Sequence, residues 1–168
     1  MYRRILIPLD GSKRAERVLP HVMHLARGGD TDVLLLHVVE PPVLPTTVVA
    51  PTVPSAGPTL MTLEDAMKQA QDDASQYLDA VRTRFEKIGF SCDVLLEQGG
   101  VVHRVAHAAQ AHDVDLIAMT SHGRTGLGTA FFGSVALGVI HRVERPVLLI
   151  RAREASDEEE RTPEGDRA

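Results

Sequence analysis

Residues 115–142 read DLIAMTSHGRTGLGTAFFGSVALGVIHR. Leu116 to Met119 is a short apolar run that suits a buried strand, and the segment behind it is dense in glycine up to Gly133. A helix is predicted over Gly133–Arg142. Glycine lets a backbone turn sharply and lets amide N–H groups approach an anion without interference from a Cβ atom. Gly133 and Ser134 fall at the predicted helix N-terminus, where unpaired N–H groups and the positive end of the helix dipole favour phosphate. Ser134 adds a hydroxyl donor. Arg124 stands ready either to screen a polyphosphate or to meet a partner.

The same strand–loop–helix unit repeats outward from this stretch. Arg4 to Leu9 reads as a buried strand stopped by Asp10-Gly11-Ser12. Ser12 is a good helix N-cap, and the apolar spacing after it predicts a helix ending at Gly28-Gly29, with a kink or irregular turn at Pro20. Asp32 to Val39 (DVLLLHVV) is nearly all apolar, as in a strand covered on both faces. A long helix is predicted from Thr62 to about Ile88, with Gly89 as its stop. A strand follows over Ser91–Glu97, then a helix from Gly99-Gly100 to about His112, and a last strand over Pro146–Arg151. Strands alternating with helices predict an α/β fold with a parallel sheet and helices on both faces. Right-handed crossovers place the loops that follow the strands on one edge, where such folds hold ligands. The chemistry is therefore expected after Leu9, Val39 and Met119.

The chain has 168 residues and a formal net charge of −5. That length suits one domain, placed at residues 1–152, which buries roughly 70% of its unfolded surface. Aromatic residues make up 4% and Trp is absent, so the core must be mostly aliphatic. No long basic run is present, which argues against nonspecific nucleic-acid binding. The single cysteine, Cys92, permits no intrachain disulfide and reads as a small buried residue. No stretch approaches a membrane span or a signal-peptide core, so cytoplasmic residence is expected. Residues 41–60, rich in proline, read as an extended mobile loop, either a lid or a plain insertion. Residues 153–168, centred on Asp157-Glu158-Glu159-Glu160, read as a disordered acidic tail, either an interaction segment or a solubilising end.

Familiar phosphate and hydrolase motifs do not fit. A dinucleotide fingerprint needs a third glycine where Phe131 stands, and a Walker loop needs a lysine after its last glycine. No G-x-S-x-G elbow surrounds Ser121 or His122. What does fit is Ser121-His122-Gly123, nine residues, then Gly133-Ser134, a helix, and RPVLLIR over 145–151. With ILIPLDGS at 5–12, LLHVV at 35–39 and DLIAMTSHG at 115–123, the chain resembles the universal stress protein family over about residues 2–151.

That resemblance implies an adenine-nucleotide site. The family pattern is glycine, two residues, glycine, nine residues, then glycine and a serine or threonine. Gly123, Gly133 and Ser134 match it, whereas Thr120 replaces the first glycine. Carried over by position, adenine and ribose contacts fall on Pro8, Asp10, Val38 and Met119. The phosphates fall on Gly123, Arg124, Gly133, Ser134 and Val135. The lesser alternatives are a turn residue capping the backbone of Ser12 or Lys13 for Asp10, and plain sheet core for Val38. ATP is the expected ligand, with Mg²⁺ or Mn²⁺ held through its phosphates. Thr120 adds β-branched bulk beside the ligand, although its hydroxyl can bond there.

The histidine pairs His103/His107 and His21/His24 have helical spacing but no further ligand nearby in sequence, so a metal site is not expected. His37 reads as a core histidine and His122 as a backbone-ordering residue. The expected sheet is Rossmann-like, of order 3-2-1-4-5, with Val147–Ile150 at an edge open to pairing. Family members pair through this strand, which implies a homodimer. Three functions remain open: a nucleotide-responsive regulatory protein, an interaction protein of the same fold without nucleotide, and a slow ATPase.

Overall fold

Alternate residues of the central strands address opposite faces of one sheet, and both faces are covered. The computed structural model describes residues 2–26, 30–41, 63–121 and 133–151. In chain order these hold β1 (Arg4–Pro8), a 3-10 helix (Ala15–Val18), α1 (Leu19–Leu25), β2 (Asp32–Val39) and α2 (Leu63–Glu86). Then follow β3 (Ser91–Gln98), α3 (Val101–Ala111), β4 (Leu116–Thr120), α4 (Ser134–Arg142) and β5 (Val147–Ile150). The five strands pair in parallel in the order β3-β2-β1-β4-β5, as expected. The proline-rich loop beyond Pro41, the Gly28-Gly29 stop, His122 and the acidic tail lie outside the described residues.

Ile5, Ile7, Val33 and Leu35 face α1 and α2, where they pack with Val22, Leu78 and Phe85. Leu6, Leu34, Leu36 and Ile117 face α3 and α4, where they pack with Val105 and Val139. A sheet buried on both sides needs apolar residues at every strand position, which is why 32–39 reads as an unbroken run.

The helix predicted after Ser12 forms in two pieces. Ser12 Oγ accepts the Ala15 amide at 3.0 Å, as a capping serine should, but the first turn is 3-10 and the α-helix begins only at Leu19. Pro20 is the cause. It has no N–H to give a preceding carbonyl, so it sits in the first turn of α1, where helical amides lack partners in any case. The stop of α2 follows the expected chemistry: Gly89 takes φ +88°, and the Phe90 and Gly89 amides bond the Phe85 and Glu86 carbonyls at 3.1 and 3.0 Å. Phe90 then packs edge-on to Phe85, their ring centroids 6.0 Å apart.

At the amino edge of the sheet, charged groups tie three strands together. The Asp115 carboxylate accepts the Arg3 and Arg4 amides at 2.8 and 3.1 Å. The Arg4 guanidinium donates to Asp32 at 3.2 Å and to the His112 carbonyl at 3.1 Å.

Two stability predictions follow from this packing. A Cβ on Gly138 of α4 would lie 2.8 Å from Val102 Cγ2 of α3, closer than side chains tolerate. Gly138→Ala therefore lowers stability in urea unfolding by about 1–2 kcal/mol, despite its better helix propensity. In a Val102→Ala background the same change becomes neutral or stabilising, because the clashing methyl is gone.

Burial pushes the Cys92 thiol up to about 12, helped by Glu86 and Asp93. Burial, with Glu16 and Asp10, also raises the Tyr77 hydroxyl well above its ordinary range. Both groups are thus protonated in the fold at pH values where the unfolded chain releases protons, from about 8.5 for cysteine and about 10 for tyrosine. Stability is intact below pH 8.5 and falls above it, by up to about 1.4 kcal/mol per pH unit for each group. Urea midpoints measured from pH 8 to 11 show the decline, and Cys92→Ala makes its first part shallower.

Candidate functional site

At the carboxyl edge of the sheet β1 and β4 separate. They pair only at Ile5 with Leu116 and Leu6 with Ile117. The Leu9 amide donates to Leu36 of β2 at 2.8 Å, and the Asp115 amide donates to the Arg4 carbonyl on the other side. Odd residues of β1 therefore address β2 and even ones address β4. Pro8 is the even position where the next amide would reach β4, and it has none.

The cleft that opens there holds a cavity of about 290 Å³. Its deep wall is apolar, built from Leu36 and Val38 of β2, Met119 of β4, Val101 of α3 and Ala136 of α4. Pro8, Leu9, Asp10 and Ala15 form the β1 side, and Thr120, Ser121, Gly133, Ser134 and Val135 form the side facing α4. Glu40 stands exposed at the mouth. A wider crevice of about 720 Å³ continues toward α2, sharing Asp10, Val38, Glu40 and Val101 and bounded by His37 and Tyr77. His37 is half-buried against the Tyr77 ring, 6.3 Å between centroids, on this rim rather than deep in the core.

Asp10 is held by its own turn. Its Oδ1 accepts the Ser12 amide at 3.0 Å, and Gly11 between them takes φ +80°, a conformation that favours glycine. The capping reading of Asp10 is thus correct, yet among the described residues Oδ2 makes no hydrogen bond and the residue lines the cavity.

The glycine-loop side brings one correction. The Gly133 amide, expected to face phosphate, donates to the Ser121 carbonyl and ties the two ends of the loop together. Gly133 occupies the N-cap position of α4 with φ −61° and ψ 153°, which any residue can adopt. The first intrahelical bond runs from the Leu137 amide to the Gly133 carbonyl at 3.0 Å. The amides ahead of it, those of Ser134, Val135 and Ala136, have no intrahelical partner. The helix-opening donors therefore start one residue later than the glycine pattern suggested.

All the candidates within the described residues, Pro8, Asp10, Val38, Met119, Thr120, Gly133, Ser134 and Val135, line this one cavity. Gly123 and Arg124 lie outside the described residues. Sequence reasoning missed Leu36 and Glu40, though the signal was available: on a strand, residues two apart share a face, so Val38 brings both with it. Val101 and Ala136 follow turns already assigned to this edge.

A doubly wound parallel sheet with a cleft where the strand order reverses defines an α/β binding fold. The chain belongs to the universal stress protein family, whose family model matches residues 1–151. It is 29% identical over 155 residues to universal stress protein MJ0577 of Methanocaldococcus jannaschii, covering 90% of this chain and 96% of that protein. A solved structure of MJ0577 matches it with a TM-score of 0.73 at 26% identity, over 92% of this chain and 99% of that one. The fold is shared with a family protein from Arabidopsis thaliana solved with AMP bound, at TM-score 0.63 and 17% identity over 96% of both chains. It is also shared with the Archaeoglobus fulgidus protein in complex with dAMP, at TM-score 0.59 and 23% identity over 89% of this chain and 98% of that one. No helix among the described residues is long and apolar enough to cross a membrane.

Proposed function

We propose that the chain binds an adenine nucleotide, ATP first among them, in the β1–β4 cleft and acts as a dimeric, nucleotide-responsive stress regulatory protein of the cytoplasm. The observation that carries this reading is the convergence of residues from around Pro8, Val38, Met119 and Ser134 on one cavity. The base lies against Val38, Leu36 and Met119, where apolar walls suit an aromatic ring. Asp10 Oδ2 accepts a ribose hydroxyl. The Ser134 and Val135 amides and the Ser134 hydroxyl meet the phosphates at the positive end of α4. Gly123 and Arg124 belong to the same phosphate contacts. The AMP and dAMP held by the Arabidopsis and Archaeoglobus proteins support the choice of adenine nucleotides.

Asp10 and Glu40 present carboxylate oxygens to the cavity, hard donors that suit Mg²⁺ or Mn²⁺. Among the described residues no three His, Cys, Asp or Glu side chains converge as a metal site. Such an ion would be held through phosphate oxygens, with Asp10 and Glu40 at hand, and would supply charge neutralisation there.

A second reading, an interaction protein that holds no nucleotide, draws on Thr120, which is 8% exposed and lines the cavity where the family pattern has glycine. Calorimetric titration with ATP, AMP and cyclic AMP separates the two. We expect saturable binding, and a loss of at least about tenfold in affinity in Gly133→Val, whose side chain crowds the cavity, with a cooperative melting transition retained. No heat from any of the three nucleotides, and none released from the denatured purified protein, would decide for the second reading.

Pairing is proposed through β5. Val147 to Ile150 are all half-buried at the free edge, and Leu137 and Ile140 of α4 are about two-fifths exposed at 40% and 41%. Sedimentation equilibrium at micromolar concentration is expected to give twice the chain mass. A monomer throughout that range sinks the dimer.

A further inference from the structure

A second crevice, which shares no lining residue with the adenine cleft, lies between α3 and the end of α4. These helices start at the carboxyl edge of the sheet, where Val101 and Ser134 line the first cavity, and run to the amino edge. Between the outer face of α3, from its first turn to its last, and the connection from α4 to β5 is a recess of about 660 Å³. His103, His107 and Gln110 enter from α3, and Arg142, Glu144 and Arg145 from the α4 end and the connection.

The spacing of the α3 residues explains their shared face. Positions 103, 107 and 110 are four and three apart, so all three side chains stack on one side of the helix. The two arginines bracket the segment where the chain leaves α4 and turns into β5. The other side of each helix is held in the core by Val105 and Val139, so the polar faces are fixed against each other by buried neighbours.

The recess carries more positive than negative side chains, with Arg142 and Arg145 against Glu144. Arg4, Arg82, Arg84 and Arg104 each have a carboxylate partner, in Asp32, Asp79, Glu16 and Glu97 respectively. Arg142 and Arg145 make no ion pair with any carboxylate among the described residues, although Glu144 lies between them in sequence. Two guanidinium forks, two imidazoles and a carboxamide thus converge on one space against one carboxylate. Guanidinium forks match the oxygen spacing of phosphate, and several such donors in one recess suit an anion with more than one charge and many acceptor oxygens.

We infer that the crevice between α3 and the α4–β5 connection is a second anion site, which takes a small oligophosphate through Arg142, Arg145, His103 and His107. Its occupant is a condensed phosphate rather than a lone chloride or carboxylate, because only an extended, multiply charged oxyanion engages donors on both walls. The site is independent of the adenine cleft and stands whether or not that cleft holds a nucleotide.

The test uses the full chain and inorganic tripolyphosphate, followed by NMR of the histidine ring protons at constant ionic strength. In the Gly133→Val background, which adds bulk to the lining of the other cleft, the His103 and His107 signals should move with saturation. The double variant Arg142→Gln/Arg145→Gln should weaken that binding at least about tenfold while leaving the melting curve in place. The single Arg145→Lys change should recover only part of it, because the charge returns without the fork. The inference is overturned if those signals do not move with tripolyphosphate, if sodium chloride of matched ionic strength moves them equally, or if the glutamine variant binds as tightly as the parent. Should the double variant unfold, Arg145→Gln alone carries the same comparison.

Discussion

The parting of β1 from β4 is the constraint on which the rest of the molecule turns. A parallel strand sends successive amides to alternate neighbours, so one missing donor breaks the ladder on one side only. Pro8 keeps its register with Leu36 of β2 and loses the amide that would have reached β4. The amino edge is closed by the opposite means: Asp115 takes two amides from the start of β1, and Arg4 grips both Asp32 and the end of α3. With one end clamped and the other released, the sheet has a single place between β1 and β4 where a ligand can reach the backbone. The connections after both strands then lead away from that gap onto different faces, the first to α1 and the second to α4.

This arrangement explains the composition of the cleft. Its floor is the sheet itself, so its residues are the aliphatic ones that burial on two faces demands, Leu36, Val38 and Met119. Polar groups enter at the ends of the strands and from the turns after them: Asp10 on one side, Thr120, Ser121 and Ser134 on the other, and Glu40 at the mouth. An apolar slot between two polar lips suits a flat ring with a charged substituent at one end. The free edges of the sheet differ in the same spirit. β3 exposes Ser91, Asp93, Leu96 and Gln98, whereas β5 shows four half-buried aliphatic residues in a row.

Most of the architecture was legible because its signals are local. Gly89 and Gly11 mark positions of positive φ, the unbroken run at 32–39 marks a strand covered twice, and the strand order came with the family resemblance. The 3-10 turn before α1 was visible only as an irregularity near Pro20. Whether a chain bends within a helix or delays its start depends on what the preceding turn packs against, here Ala15 and Val18 in the core. Glu40 was overlooked because the motif points to Val38 alone, although strand parity places both on one face. The Gly133 amide could not have been read from sequence. Its bond to the Ser121 carbonyl joins residues twelve apart, and only the closure of the loop brings them together.

Thr120 is best understood from the strand it ends. A glycine at the last position of β4 would weaken the ladder and let the loop begin early. Threonine is a good strand residue, and here β4 runs through Thr120, opposite Ile150, with the Ser121 amide continuing the pairing to the Ile150 carbonyl at 2.9 Å. Ser121 is 2% exposed and accepts the Gly133 amide, so the base of the glycine loop is a closed ring of backbone bonds rather than a free hinge. The departure from the family glycine therefore exchanges backbone latitude for a longer strand and a fixed loop base. It also sets a side chain, with a methyl and a hydroxyl, on the wall of the cleft where family members present bare backbone. A ligand that enters must pack against that methyl or bond that hydroxyl. Thr120 is thus the point at which the lining of this cleft departs from the family's glycine pattern.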